Sequence, residues 1–255
     1  MKKIILVIVL MASTLVMNAQ EFKIGAGGGI FSTWLVNKNV SDQGDDLDFA
    51  ATFGGQFGLN AQYYFKDNLG LTFGLLYSGH NQKYTGEESA GGITVSYEFK
   101  TKMRYLDIPV FIRTGGGAKG AYFEFGPQFG FLMSAKDEAS ASGGGLTFDT
   151  SDVDVKSTLK SSNIALVLGF GVDIDASENV IITTGLRLGY GLTDVTKEYK
   201  DEAALNAETE NVALPTAFAH NHQNDSGGDS FKYASTNRAF GGLFISVLFK
   251  IPSKK

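Results

Sequence analysis

The sequence predicts an all-β fold: an eight-stranded antiparallel up-and-down β-barrel that spans a membrane. Three observations point there. From Phe53 to Phe65 the chain alternates without a break, with Phe53, Phe57, Leu59, Ala61, Tyr63 and Phe65 on one face and Gln56, Asn60 and Gln62 on the other. That is the period-two signature of a strand with one apolar side. The pattern recurs in segments long enough for a tilted strand to cross a bilayer, which takes about 9–11 residues. The connections between these segments alternate short and long, as in barrels with short turns at one end and long loops at the other.

Eight strands follow in order. They run over about 22–35, 50–65, 69–83, 92–113, 120–135, 161–174, 180–192 and 234–251. Short links at 66–68, 114–119 and 175–179 alternate with longer polar stretches at 36–49, 84–91, 136–160 and 193–233. An even strand count puts both ends of the barrel domain on the short-turn, periplasmic side. Lipid offers the backbone no hydrogen-bond partner, so a spanning sheet must close on itself. Aromatic residues gather at the two interfaces. Trp34, Tyr77 and Tyr190 are expected at the outer rim, and Tyr63, Phe65 and Phe249 at the inner one.

Lys2 and Lys3, the apolar run from Ile4 to Met17 and the small Ala19 have the layout of a secretory signal peptide. Cleavage between Ala19 and Gln20 is expected, leaving 20–255 as one barrel domain. The mature chain then holds 20 basic and 27 acidic residues, a net charge of −7. That balance excludes a nucleic-acid partner, which wants a basic surface. The absence of cysteine excludes disulfides and thiolate metal sites. Glycine at 32 residues against proline at 4 suits tightly curved sheets rather than a disordered tail.

Two segments carry more than a generic barrel pattern: Tyr105-Leu106-Asp107-Ile108-Pro109-Val110, and Ala121 to Gly130 with its Gly126-Pro127 step. Together with Leu168–Gly171 and Gly189–Leu192 they resemble the PorT-like family of outer-membrane β-barrel proteins, small barrels of the OmpA/OmpX type. Asp107 stands where that family more often has Glu. The resemblance implies residence in the outer membrane and insertion by the barrel assembly machinery. The terminal strand agrees, with Gly242, Phe244, Leu248 and Phe249 resembling its assembly signal. Because the family's founder is implicated in type IX protein secretion, a role in that machinery is one implied reading.

Pro109 has no backbone donor, and a closed barrel has no free edge to accommodate it. The sequence changes phase there. Val95, Tyr97, Phe99 and Met103 are apolar at odd positions, and Leu106, Ile108, Val110 and Ile112 at even ones. A bulge over Asp107, Ile108 and Pro109 is therefore expected. On that phase Glu98, Lys100, Lys102, Arg104 and Asp107 line the lumen, joined by Glu124, Gln128 and Arg187 from other strands. An eight-stranded barrel is just wide enough for side chains to fill it, and opposite charges would pair there as a plug. A narrow ion path is the alternative.

The long loops are acidic but lack calcium-loop spacing, so a solvated surface is expected. His220 and His222 are candidate metal ligands without a third convergent group, and no metal or cofactor is expected. Ser78 and His80 could belong to a membrane-embedded enzyme, but no acidic orienter follows by spacing. Neither glycine triplet has the Lys-Ser/Thr of a phosphate loop. The expected molecule is a non-catalytic outer-membrane barrel, structural or interacting, bathed in outer-membrane lipid. Its acidic loops would meet an extracellular or secretion partner.

Overall fold

The computed structural model describes residues 21–116, 120–208, 214–223 and 228–252. The expected signal peptide lies outside the described residues. The elements are β1 (Glu21–Asn37), α1 (Lys38–Ser41), β2 (Asp48–Ala50), β3 (Phe53–Lys66), β4 (Leu69–Ala90), β5 (Ile93–Gly115), β6 (Gly120–Gly143), β7 (Leu146–Asp154), β8 (Ser162–Asp175) and β9 (Val180–Gly191). After these come α2 (Glu202–Glu208), α3 (Leu214–His220), β10 (Asn221–Gln223), β11 (Asp229–Phe231) and β12 (Thr236–Ile251).

Among the described residues, eight strands close a ring in the order β1-β3-β4-β5-β6-β8-β9-β12 and back to β1, every pair antiparallel. Closure is explicit at β1, where Ala26 faces Leu59 on one side and Val247 on the other. No strand of the ring has a free edge, which satisfies the backbone without water. The turn after β5 needs glycine: Gly115 and Gly116 have φ of 76° and 75°, a region other residues rarely enter.

The outer face of the ring is apolar yet uncovered. Ile30 is 70% exposed, Phe57 65% and Leu243 65%. On β6 the band runs from Phe123 to Met133, and on β8 from Ile164 to Ile174, about the length a tilted strand uses to cross a bilayer. Trp34, Tyr77 and Tyr190 lie on the outer face toward the long-loop end, and Tyr63, Phe65 and Phe249 toward the short-turn end.

Two expected loops are strand instead. β4, β5 and β6 are 22, 23 and 24 residues long, so 84–91 and most of 136–160 continue the barrel wall upward. Gly91-Gly92 and Gly144-Gly145 close these hairpins, all four at positive φ, as a tight two-residue hairpin turn demands. β2 pairs with β4, and β7 with β6, widening the projecting sheet.

Candidate functional site: the lumen and its seal

The expected bulge at Asp107 to Pro109 is not found. The β5 register on β6 is unchanged from Tyr105–Leu132 through Pro109–Gln128 to Ile112–Phe125. The missing donor of Pro109 is absorbed as a gap: among the described residues Gly74, opposite it, and Leu75, opposite Ile108, form no ladder pair with β5. A Cβ on Gly74 would lie 3.4 Å from the Pro109 ring. The register shift falls between Arg104 and Tyr105, with the extra residue on β6 at Met133. There the buried positions switch from even (Gln128, Gly130, Leu132) to odd (Ala135, Asp137, Ala139).

The facing of β5 is corrected with it. Odd residues are the buried ones from Thr101 to Arg113, and Glu98, Lys100, Lys102 and Arg104 lie on the other face. The sequence changes phase because the surroundings change, not the backbone. Below Arg104 the outer face meets lipid and the inner face a polar lumen. Above it the outer face meets water and the inner face packs on the loops. The outward charges pair on the surface: Glu98 with Lys83 and Lys100, and Lys102 with Glu138.

Asp107, Glu124 and Arg187 do line the lumen, at 0%, 0% and 2% exposure. They belong to two separate clusters. Toward the short-turn end, Glu124 accepts from Arg187 Nε at 2.7 Å and from Arg113 Nη1 at 3.3 Å, and Arg113 Nη2 donates to Asp173 at 2.6 Å. Thr183 donates to the same Asp173 oxygen at 2.7 Å, and Arg113 Nε donates to the Tyr64 hydroxyl at 2.8 Å. The Arg113 guanidinium also lies 3.5 Å from the Tyr122 ring centre. Lys23, 3.2 Å from Glu21, sits over Tyr64. Every ion is thus paired, the condition for burying charge at tolerable cost.

Above this network lies an apolar layer of Phe31, Phe111, Ala165, Val167, Phe240 and Phe244. Phe31 and Phe240 meet edge to face at 5.7 Å, a favoured aromatic geometry. Arg187 stacks on the Phe244 ring at 3.6 Å. The second cluster is above the layer. Arg238 donates to Asp107 at 3.3 Å and covers the Tyr105 ring, and His80 Nε2 is 3.6 Å from the other Asp107 oxygen. The rings of His80 and Phe240 are in edge contact. The amides of Asn60 and Gln128, and the Gln56 Oε1, face the lumen without a protein partner among the described residues, a lining suited to ordered water.

The long-loop mouth is closed by a third tier. Leu35, Met103, Tyr105, Leu132, Val155, Leu159 and Val195 form one apolar cluster, and Val40, Leu47 and Tyr84 another against Phe218 of α3. Polar ties hold this cap. Asn39 donates to the carbonyls of Ala219 and Lys232 at 2.8 and 2.7 Å. Asp194 accepts from the backbone of Thr196 and Thr236, from Lys160 and from the Tyr233 hydroxyl. Asp137 accepts from Thr101 and from the Leu214 N–H that opens α3. Burial pushes its carboxyl up to about 7, partly offset by those two bonds.

His220 has a structural task in the cap. Its Nε2 accepts from Tyr199 N–H at 2.8 Å and its Nδ1 is 2.7 Å from the Thr216 carbonyl. Both nitrogens are engaged, and His222 turns toward Asp42 at 3.3 Å, so the two histidines do not converge on a metal. Ser78 and His80 both face the lumen and are buried.

Sequence reasoning missed Lys23, Arg113, Asp173 and Arg238. Two of them carried a signal: Lys23 lies between Phe22 and Ile24 and Asp173 between Val172 and Ile174, a charge at an inward position flanked by apolar residues, whereas Arg113 and Arg238 each have a polar neighbour, Thr114 and Asn237.

The family model described as "outer membrane protein beta-barrel domain" matches residues 18–197. The chain belongs to that family. Its members are outer-membrane barrels, and the apolar outer band of this barrel is accordingly its lipid face. Among curated protein sequences none matches the chain. Solved structures with a similar course include OprG from Pseudomonas aeruginosa, at 12% identity and TM-score 0.39 over 92% of this chain and 97% of that one. Neisserial surface protein A is similar at 14% identity and TM-score 0.36, over 90% and 97%. A major outer membrane protein from Thermus thermophilus is similar at 12% identity and TM-score 0.40, over 91% and 98%.

Proposed function

We propose that this barrel is a plugged, non-conducting structural or interaction protein of the outer membrane, working through what it holds outside the bilayer. The observation that carries this reading is the stack across the lumen: an ion-paired network at Arg113, Glu124, Asp173 and Arg187 beneath the aromatic layer of Phe31, Phe111, Phe240 and Phe244. An ion crossing that layer would shed its hydration with nothing to replace it. The projecting sheet supports the interaction role. A pocket of about 1020 Å³ there is lined by Asp48, Glu87, Glu98 and Asp149 together with Tyr97 and Phe148. That acidic, partly aromatic surface suits an extracellular or secretion partner with basic groups. The Tyr105–Val110 and Ala121–Gly130 segments support a place among the PorT-like barrels, and the cleaved leader would deliver the chain to the assembly machinery.

Purified protein in a planar bilayer tests the seal. The expected result is a baseline conductance like that of lipid alone. Steady, ion-selective openings would overturn the plugged reading. Recovering the intact protein from native outer membranes, with and without the projecting hairpins, tests the partner: a protein lost when 84–99 is removed is the expected result.

A further inference from the structure

The lipid face carries a built recess at its upper edge. Four residues lie in one cross-strand row: Ile30 of β1, Gly55 of β3, Gly79 of β4 and Arg104 of β5. Ile30 pairs with Gly55, and Gly79 with Arg104. The two glycines leave a trough of about 490 Å³ between the flanking side chains. Phe57 and Tyr77, with ring centres 5.6 Å apart, wall it on the bilayer side, and Phe53 and Asn81 on the other.

Arg104 lies across this trough. A Cβ on Gly79 would come within 3.1 Å of its Nη1, so the glycine is what lets the guanidinium rest flat on the sheet. The other cations of the outer face nearby are neutralised: Lys83 and Lys100 by Glu98, Lys102 by Glu138, Lys136 by Asp152. Arg104 has no carboxylate partner among the described residues. Its Nη1 donates to Asn81 Oδ1 and to the Met103 carbonyl, both at 3.0 Å, which leaves Nε and Nη2 for something outside the chain.

We infer that this trough is a binding site for an anionic phospholipid of the surrounding leaflet, the phosphate held by Arg104 and an acyl chain laid along Gly55 and Phe57. The planar guanidinium matches phosphate geometry. Its height, at the rim of the apolar band beside Phe53 and Tyr77, is where lipid headgroups and interfacial aromatics meet. The inference needs membrane residence only and stands apart from whether the lumen conducts.

Native mass spectrometry of the refolded full barrel, in dodecylmaltoside micelles doped with phosphatidic acid, with phosphatidylcholine, or with inorganic phosphate alone, tests it. The expected result is preferential retention of phosphatidic acid, lowered about tenfold in Arg104→Gln, the scale of one lost charge-assisted contact. Gly55→Leu fills the trough and keeps the Arg104 charge. Its Cβ meets only the Gly29 carbonyl, at 3.5 Å, so the variant folds and should lose the lipid equally. It decides the matter if Arg104→Gln fails to fold. Equal retention of phosphatidylcholine, or phosphatidic acid unchanged by the variant that folds, overturns the site. Inorganic phosphate that binds without being displaced by phosphatidic acid overturns the lipid as its occupant.

Discussion

Arg113 and Asp173, sixty residues apart in sequence, meet at 2.6 Å with neither side chain exposed. They join β5 to β8 across the lumen, with β6 and its Glu124 between them. The pair is one link of a chain running from Thr183 through Asp173, Arg113 and Glu124 to Arg187.

Removing one link leaves a buried charge uncompensated. Asp173→Ala is expected to destabilise the folded barrel by about 3–5 kcal/mol. The denaturant midpoint of refolding in micelles, followed by Trp34 fluorescence, measures it. Arg113→Met with Asp173→Asn removes both charges of the pair, leaves Glu124 with Arg187, and should cost less than the single change.

The outward charges of β5 give the opposite expectation. Glu98, Lys100 and Lys102 are partly exposed, and surface pairs contribute about 0–1 kcal/mol. Lys102→Gln should therefore move the same midpoint very little. A loss as large as that of Asp173→Ala would return Lys102 to the lumen.

The aromatic layer is expected to be the barrier to ions. Phe111→Ala opens a buried volume at a cost of about 3–5 kcal/mol. Combined with Phe31→Ala and Phe240→Ala it should give measurable openings in a planar bilayer where the unaltered protein gives none.

Asp137 makes the cap sensitive to pH. Its folded value, about 7, lies above the ordinary aspartate value of 3.8. Below that ordinary value both folded and unfolded forms are protonated. As pH rises from about 4 toward 7 the unfolded form ionises first, so the cap loses stability over that window and levels off above it. Protease cleavage within 202–223 should be slower at pH 5 than at pH 8. Asp137→Asn keeps an acceptor for Thr101 and Leu214 and should remove the difference.

The barrel was legible in the sequence because alternation and loop length are written locally. Phe53 to Phe65 shows its two faces without any knowledge of neighbours. The lumen was legible only in part. Glu124 and Arg187 interrupt regular apolar strands, so their direction follows from period two. Lys100, Lys102 and Arg104 do not, because reading their face requires knowing where on β5 the lipid stops. The same blindness moved the irregularity to Pro109, a residue that signals trouble in sequence but is absorbed beside Gly74. The true shift, at Met133, has no proline or glycine to announce it. The projecting hairpins were hidden for a related reason: once both faces of a strand meet polar surroundings, its composition resembles a loop.

The boundary on β5, Arg104 outside lipid and Leu106 within it, also fixes how deep the protein floats. Insertion of two residues below Arg104 would leave every side chain on its own face yet lift the whole upper sheet by about 7 Å along the strand. The barrel would then have to sink, tilt or drag the bilayer with it. One strand thus carries a waterline, and the reach of the projecting sheet above the cell surface is measured from it.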